Sequence, residues 1–247
     1  SNDKDTGMWR SVYESASREA EGKNAYVELL SPEQMTGYSQ ADCLRIGIAS
    51  QVDGIILEAD GSKEEQHLIN EALKAGIPVV TVMTDDTATG RISFVGLNSY
   101  QMGSAYTEQI SGMLKEKGNT SVMFLSTSSS KTQETNLVYS QVKKELESQK
   151  KTGQYVNLTE YCVDSSADFD TEEFVRDMFV NDENLPDILV CMDEVVTECV
   201  YQALIDYNQV GNVKVIGFYY SDVILDAIDK GIISSAIALD MDEIGRY

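Results

Sequence analysis

The chain has 247 residues, 42% of them hydrophobic and 24% charged, which is enough apolar material for real cores and argues against wholesale disorder. Its charge is lopsided: 19 Lys+Arg stand against 41 Asp+Glu, for a formal net charge of -22. Such a field repels phosphate backbones and anionic lipid, so nucleic acid and a membrane surface are excluded as expected partners, and no run approaches the ~20 apolar residues that direct membrane insertion requires.

In chain order, residues 8 to 20 carry Trp9, Val12, Tyr13, Ala16 and Ala20 at helical spacing, and Tyr26 to Leu30 reads as a short strand. Residues 39 to 50 form a second helix with Cys43, Leu44, Ile46 and Ile48 on its apolar side. Asp53-Gly54 marks a turn before the strand Ile55-Ile56-Leu57. Residues 62 to 75 open on Ser62 and acidic residues, as helices prefer, and stop at Gly76 with Pro78 just beyond. Val79 to Val82 is a strand, and Phe94-Val95-Gly96 is a further apolar piece. The alternation then restarts. Helices are expected over 99–116, 135–149, 171–180, 194–207 and 221–229. Strands are expected over Ser121–Leu125, Tyr155–Tyr161, Ile188–Cys191, Val213–Phe218 and Ser235–Leu239. Short strands apolar on both sides, alternating with helices, imply parallel sheets covered on both faces. Two such series predict an α/β protein of two Rossmann-like lobes, with the break near Gly96-Leu97-Asn98 serving as a hinge. The polar run Ser126 to Thr132 is expected at a strand's carboxyl end, where ligands meet open α/β sheets.

Several stretches in order resemble type I periplasmic binding proteins, the family of ribose- and galactose-binding proteins and of LacI-type effector domains. They are SQVDGIILEA, AGIPVVTV, FVGLNSYQMGSAYTEQI, DILVCMDEVVTECVYQAL and VIGFYYSDVILDAIDKGIISSAIALDMDEIG. The resemblance implies an N-terminal lobe of residues 1–97 plus 241–247, a C-terminal lobe of 98–240, and a hinge at Gly96, Leu97, Asn98 and Asp240. It also implies that the family's first strand and C-terminal tail are missing from this chain. The expected function is extracytoplasmic, at the cell surface or in the periplasm: closing two lobes on a small molecule, a sugar or sugar-like compound or another small neutral ligand, for ABC-type import, with a membrane permease as partner. The alternative is a ligand-sensing or protein-interacting domain of a membrane signalling receptor such as a sensor kinase. A repressor core is disfavoured by the charge of -22.

Carried over position by position, the resemblance makes Met8, Trp9, Met83, Thr84, Phe169, Met192, Asp193, Tyr219 and Leu239 the candidate ligand-binding residues. Met8 and Trp9 stand for the loop before the first helix, which supplies stacking side chains; ligand contact is the preferred reading of Trp9, and core on the apolar side of its helix is the alternative. Sugar-binding members carry Asp-Arg where Met83 and Thr84 stand, Asn at Met192, Asp at Tyr219 and Gln at Leu239. The inferred pocket thus exchanges charge for Met, Leu and Tyr. Charge-assisted hydrogen bonds contribute ~1.5–3 kcal/mol each, so the change favours a flatter, more apolar ligand over a simple hexose or pentose.

No catalytic constellation emerges and no enzyme is expected. The single histidine, His67, lies on a solvated helix face, and no GxSxG, Walker A or GxGxxG motif occurs. Asp85-Asp86 is expected in a solvated turn, and Asp193 as a helix cap rather than a chemical group. Cys43, Cys162, Cys191 and Cys199 form no CxxC pair and read as small buried hydrophobes, with a disulfide left open. No metal site and no cofactor are expected.

Overall fold

The computed structural model describes residues 5–30, 37–96, 99–128, 133–149, 151–164, 170–180 and 185–247. The described elements, in order, are α1 (Asp5–Ala20), α2 (Gln40–Ala49), β1 (Ile55–Leu57), α3 (Lys63–Lys74), β2 (Val79–Val82), β3 (Ser93–Val95), α4 (Ser99–Met113), β4 (Gly118–Thr127), α5 (Gln133–Ser148), β5 (Gln154–Val163), α6 (Asp170–Val180), β6 (Ile188–Cys191), α7 (Glu194–Asp206), β7 (Lys214–Phe218), α8 (Asp222–Asp229), β8 (Ser235–Ile237) and α9 (Met241–Arg246). They divide into two compact units: unit 1 is Ser1–Leu97 with Leu239–Tyr247, and unit 2 is Asn98–Ala238.

In unit 1, β1, β2 and β3 form a parallel sheet in that order. Local chemistry sets its helices. Ser39 caps α2 in a reciprocal box with Asp42, and Ser62 accepts the Glu65 N–H at the start of α3. Gly76, at φ 85°, ends α3 in the left-handed region. One sheet face is buried against both helices: Leu57 and Val79 pack with Leu44 of α2 and Leu68, Ile69 and Ala72 of α3. Ile69 is fully buried, which is worth about 1.5–3 kcal/mol. Helix α9 lies on α1 so closely that a Cβ on Gly245 would sit 2.5 Å from the Val12 carbonyl oxygen. Ser15 Oγ donates to the Asp242 carbonyl at 2.7 Å in the same contact.

Tyr26–Leu30 forms no strand. Its pattern suits one, but a strand exists only as part of a ladder, and the unit 1 sheet order, β1-β2-β3, does not include this segment. Tyr26 is accordingly exposed.

In unit 2 the parallel order is β5-β4-β6-β7-β8. On one face, Val122 and Phe124 of β4 with Ile188 and Val190 of β6 pack against Tyr106 and Ile110 of α4 and Val138 and Val142 of α5. On the other, Leu189, Cys191 and Val215 pack against Val175 and Phe179 of α6 and Val196, Val200 and Leu204 of α7. The sheet is covered on both faces, as the continuous apolar strands require. Strands β4 and β5 are longer than expected and run in unbroken register for ten residues, from Gly118↔Gln154 to Thr127↔Val163. Strand β8 ends at Ile237, so Leu239 lies beyond it.

Candidate functional site

The strand order of unit 2 places a topological switch between β4 and β6. The chain leaves β4 toward β5 and returns past β4 to β6. Loops at such a point diverge to either side of the sheet and leave a crevice at the strands' carboxyl ends. Asp193 sits there. It caps α7, its Oδ1 accepting the Val196 N–H at 2.9 Å. Its Oδ2 accepts the Thr127 N–H at 2.9 Å and the Thr127 hydroxyl at 3.1 Å. The expected capping role therefore holds, and the same carboxylate ties the end of β4 to α7. Met192 is 8% exposed beside it, and its N–H donates to the Leu125 carbonyl at 2.9 Å.

Two candidate residues share an unusual backbone. Met83 has φ 60° and Tyr219 has φ 77°, the left-handed region that side chains with a Cβ rarely enter. Each follows the second strand of an identical pattern. Val82 pairs with Val95, and the next N–H, from Met83, donates to the Val95 carbonyl at 3.1 Å. Phe218 pairs with Ile237, and the next N–H, from Tyr219, donates to the Ile237 carbonyl at 2.8 Å. The register of β1-β2-β3 thus repeats that of β6-β7-β8, and Met83 and Tyr219 are equivalent positions in the two units. The same register makes Glu58 equivalent to Met192 and Thr84 equivalent to Tyr220.

Reading by resemblance missed Glu58, Thr127 and Tyr220. Thr84 Oγ1 donates to Glu58 Oε1 at 2.9 Å, which puts a carboxylate and a hydroxyl side by side at the carboxyl end of β1 and β2. Tyr220 packs on Tyr219 with ring centroids 4.8 Å apart. The candidate positions are therefore less stripped of charge than the substitutions at Met83, Met192 and Tyr219 alone imply. The sequence signal for Glu58 and Tyr220 was their place just past apolar strands, and that for Thr127 was its place in the polar run Ser126 to Thr132.

Other expectations change. Met8 and Trp9 lie within α1, which begins at Asp5, and not in a loop ahead of it. Trp9 is half-buried. Asp85-Asp86 is not a solvated turn. Arg91 grips Asp85 through both Nε and an Nη, Thr81 Oγ1 donates to Asp85 at 2.9 Å, and the guanidinium holds that carboxyl below the usual range. Asp86 is 8% exposed and accepts Gln66 Nε2 at 2.8 Å and the Ala88 N–H at 2.8 Å. Together these bonds fix the loop that carries Met83 and Thr84. Leu239 is 9% exposed, and Asp240, expected in the hinge, caps α9 by accepting the Glu243 N–H at 2.9 Å. Gly96 ends β3 under steric constraint, since a Cβ there would meet the Phe94 ring at 2.6 Å. Phe169, Leu97 and Asn98 lie outside the described residues.

Behind the unit 1 residues, Glu65 is 1% exposed. It accepts the Asp60 N–H at 2.9 Å and Gln40 Nε2 at 2.8 Å, while Gln40 also donates to the Glu58 carbonyl at 2.7 Å. Glu65 thus anchors the loop that carries Glu58. Burial pushes its pKa up to about 7. Among the described residues, no group of His, Cys, Asp and Glu is placed to hold a metal ion.

A family model described as a periplasmic binding protein domain matches residues 1–247. No curated protein sequence matches. Solved structures share the fold. One is GanP, a glucose-galactose binding protein from Geobacillus stearothermophilus, at TM-score 0.77 and 21% identity, covering 97% of this chain and 83% of that one. A sugar-binding protein of a sugar ABC transporter from Bacillus halodurans gives 0.79 and 21%, covering 97% and 80%. The XylFII-LytSN complex gives 0.76 and 20%, covering 97% and 85%.

Proposed function

Because this chain belongs to the periplasmic binding protein domain family, a family of binders and not enzymes, we propose that it is an extracytoplasmic solute-binding protein whose two units close on a small molecule. The observation that carries this reading is the pair of left-handed residues, Met83 and Tyr219, at equivalent strand ends of the two units. Backbone in that region costs on the order of 1–3 kcal/mol for a residue with a side chain, and such strain concentrates where a side chain must be aimed at a ligand. Unit 1 carries a carboxylate–hydroxyl pair, Glu58–Thr84, at the end of its strands, and unit 2 carries another, Asp193–Thr127, together with the tilted pair of rings Tyr219 and Tyr220. Carboxylates that accept hydroxyl protons, beside ring faces that cover C–H surfaces, suit a neutral polyol or sugar-like molecule with one apolar face. Similar solved structures include sugar-binding proteins, which fits that class. The expected partner is the membrane permease of an ABC importer.

A second reading is favoured by one finding: XylFII, of the same fold, stands in a complex with another protein, LytSN. On that reading the closed form is recognised by a signalling receptor and no solute is handed to a permease. In either case the ligand drives closure only as far as it binds the closed state better.

A thermal-shift screen of monosaccharides, inositols, nucleosides and aromatic metabolites tests the proposal. A ligand at a hundred times its Kd stabilises by about 2.7 kcal/mol, enough for a clear rise in Tm. Tyr219→Ala and Trp9→Ala are each expected to abolish the shift. A hit whose shift survives both substitutions places the site elsewhere, and a screen without hits overturns the solute-binding reading.

A further inference from the structure

Strand β5 ends the unit 2 sheet: among the described residues no strand pairs with its outer side. Its ten residues, QYVNLTEYCV, contain no Pro, Lys or Arg, and their register with β4 has no bulge. Proteins ordinarily blunt a long edge with one of those devices, because its N–H and C=O groups are a template for another strand. Tyr155, Asn157, Thr159 and Tyr161 share one strand face and are all exposed. Beside that face lies a groove of about 620 Å³ lined by Met123, Tyr161, Phe174 and Met178 and bordered by Asp170, Glu173 and Asp177. Tyr161 and Phe174 lie with ring centroids 5.6 Å apart. The three acids recur at helical spacing along one side of α6. Arg176 reaches Glu173 and Asp177 at 3.1 Å, an exposed surface pair of the kind an incoming cation exchanges at little cost, so among the described residues that line or border the groove three carboxylates stand with one guanidinium.

We propose that the β5 edge and this groove form a docking surface for an extended basic segment of a partner protein. The segment adds to the sheet as a strand and lays a Lys or Arg side chain over the rings and thioethers, beneath the acidic rim. Main-chain bonds supply affinity, and the groove selects the side chain. A cation over an aromatic face gains about 0.5–2 kcal/mol, and neighbouring carboxylates add to it. The charge identifies the occupant. A second copy of this chain, at -22, would set the same acids against one another, and an anionic membrane would be repelled.

The test is fluorescence anisotropy with a fluorescein-labelled peptide of alternating Lys and Val. Its Glu–Val counterpart and an N-methylated Lys–Val peptide serve as comparisons, the latter keeping its charge but unable to join a ladder. The Lys–Val peptide is expected to bind, and the other two to bind about tenfold more weakly or not at all. The double change Glu173→Lys with Asp177→Lys is expected to weaken binding about tenfold, while Glu71→Lys with Asp229→Lys, on exposed helix positions elsewhere, is expected to change it little. No binding by the Lys–Val peptide overturns the proposal. Equal binding of the N-methylated peptide, or an equal effect of the two double changes, also overturns it, because the attraction is then diffuse. A rise in mass on dilution-dependent sizing, with no peptide binding, assigns the edge to a second copy instead.

Discussion

Replacing Glu65 by glutamine is expected to remove a pH dependence from the stability of unit 1. The folded state keeps this carboxyl protonated up to about pH 7, whereas the unfolded chain releases the proton near the ordinary value of 4.5. Between those values the folded state binds more protons, so stability falls as pH rises. The contribution is whole below about pH 4.5 and is lost as pH passes 7. At about 1.4 kcal/mol per pH unit for one proton, the loss between about pH 5 and 8 comes to about 2–3 kcal/mol. Glutamine cannot titrate. Its amide gives up one of the hydrogen bonds from the Asp60 N–H or Gln40, a cost that does not vary with pH. The difference between wild type and Glu65→Gln therefore isolates the titration of this one group from that of the other acids. Urea unfolding followed by Trp9 fluorescence is the assay, since Trp9 is the only tryptophan in the sequence and lies in the same unit as Glu65. A difference that stays flat across the range would refute the reasoning, because it would mean that burial leaves Glu65 with an ordinary pKa.

Gly96→Ala is expected to destabilise unit 1 by about 1–3 kcal/mol, because its Cβ would meet Phe94 at 2.6 Å and the Met83 carbonyl at 3.3 Å. Phe94→Ala in the same chain should recover part of that loss, read from the same Trp9 transition. Asp193→Ala is expected to cost about 2 kcal/mol in thermal unfolding followed by circular dichroism: about 1 for the α7 cap and about 1 for the N–H and hydroxyl of Thr127 that lose their acceptor. Asp193→Asn, which keeps an acceptor oxygen, should recover much of it.

The strands and most helices were legible because their signals are local. Ile55–Leu57 follows Gly54, Val79–Val82 follows Pro78, and Ile188–Cys191 follows Pro186; each is a short apolar run behind a breaker. Asp193 reads as a cap for the same reason, since its partner is three residues on. What escaped depends on distance along the chain or on backbone angles. Glu65 looks like a solvated first-turn acid until Gln40, 25 residues earlier, is seen to donate to it. The burial of Asp85 depends on Arg91 folding back across the loop. Tyr26–Leu30 has the pattern of a strand and no ladder to join, which a pattern cannot report. Residue type gave Met83 and Tyr219 as pocket positions through the family resemblance, yet nothing in either name discloses a positive φ.

The contact between α1 and α9 has a consequence for biogenesis. Unit 1 is assembled from two stretches of chain, and all of Asn98–Ala238 is synthesised between them. On the ribosome, unit 2 can therefore finish folding while α1 still waits for Gly245 to arrive against Val12. Closing a loop that long costs conformational entropy, which grows only slowly with its length. A translational pause before Leu239 would leave the first stretch of unit 1 exposed to chaperones and proteases until its second stretch is made.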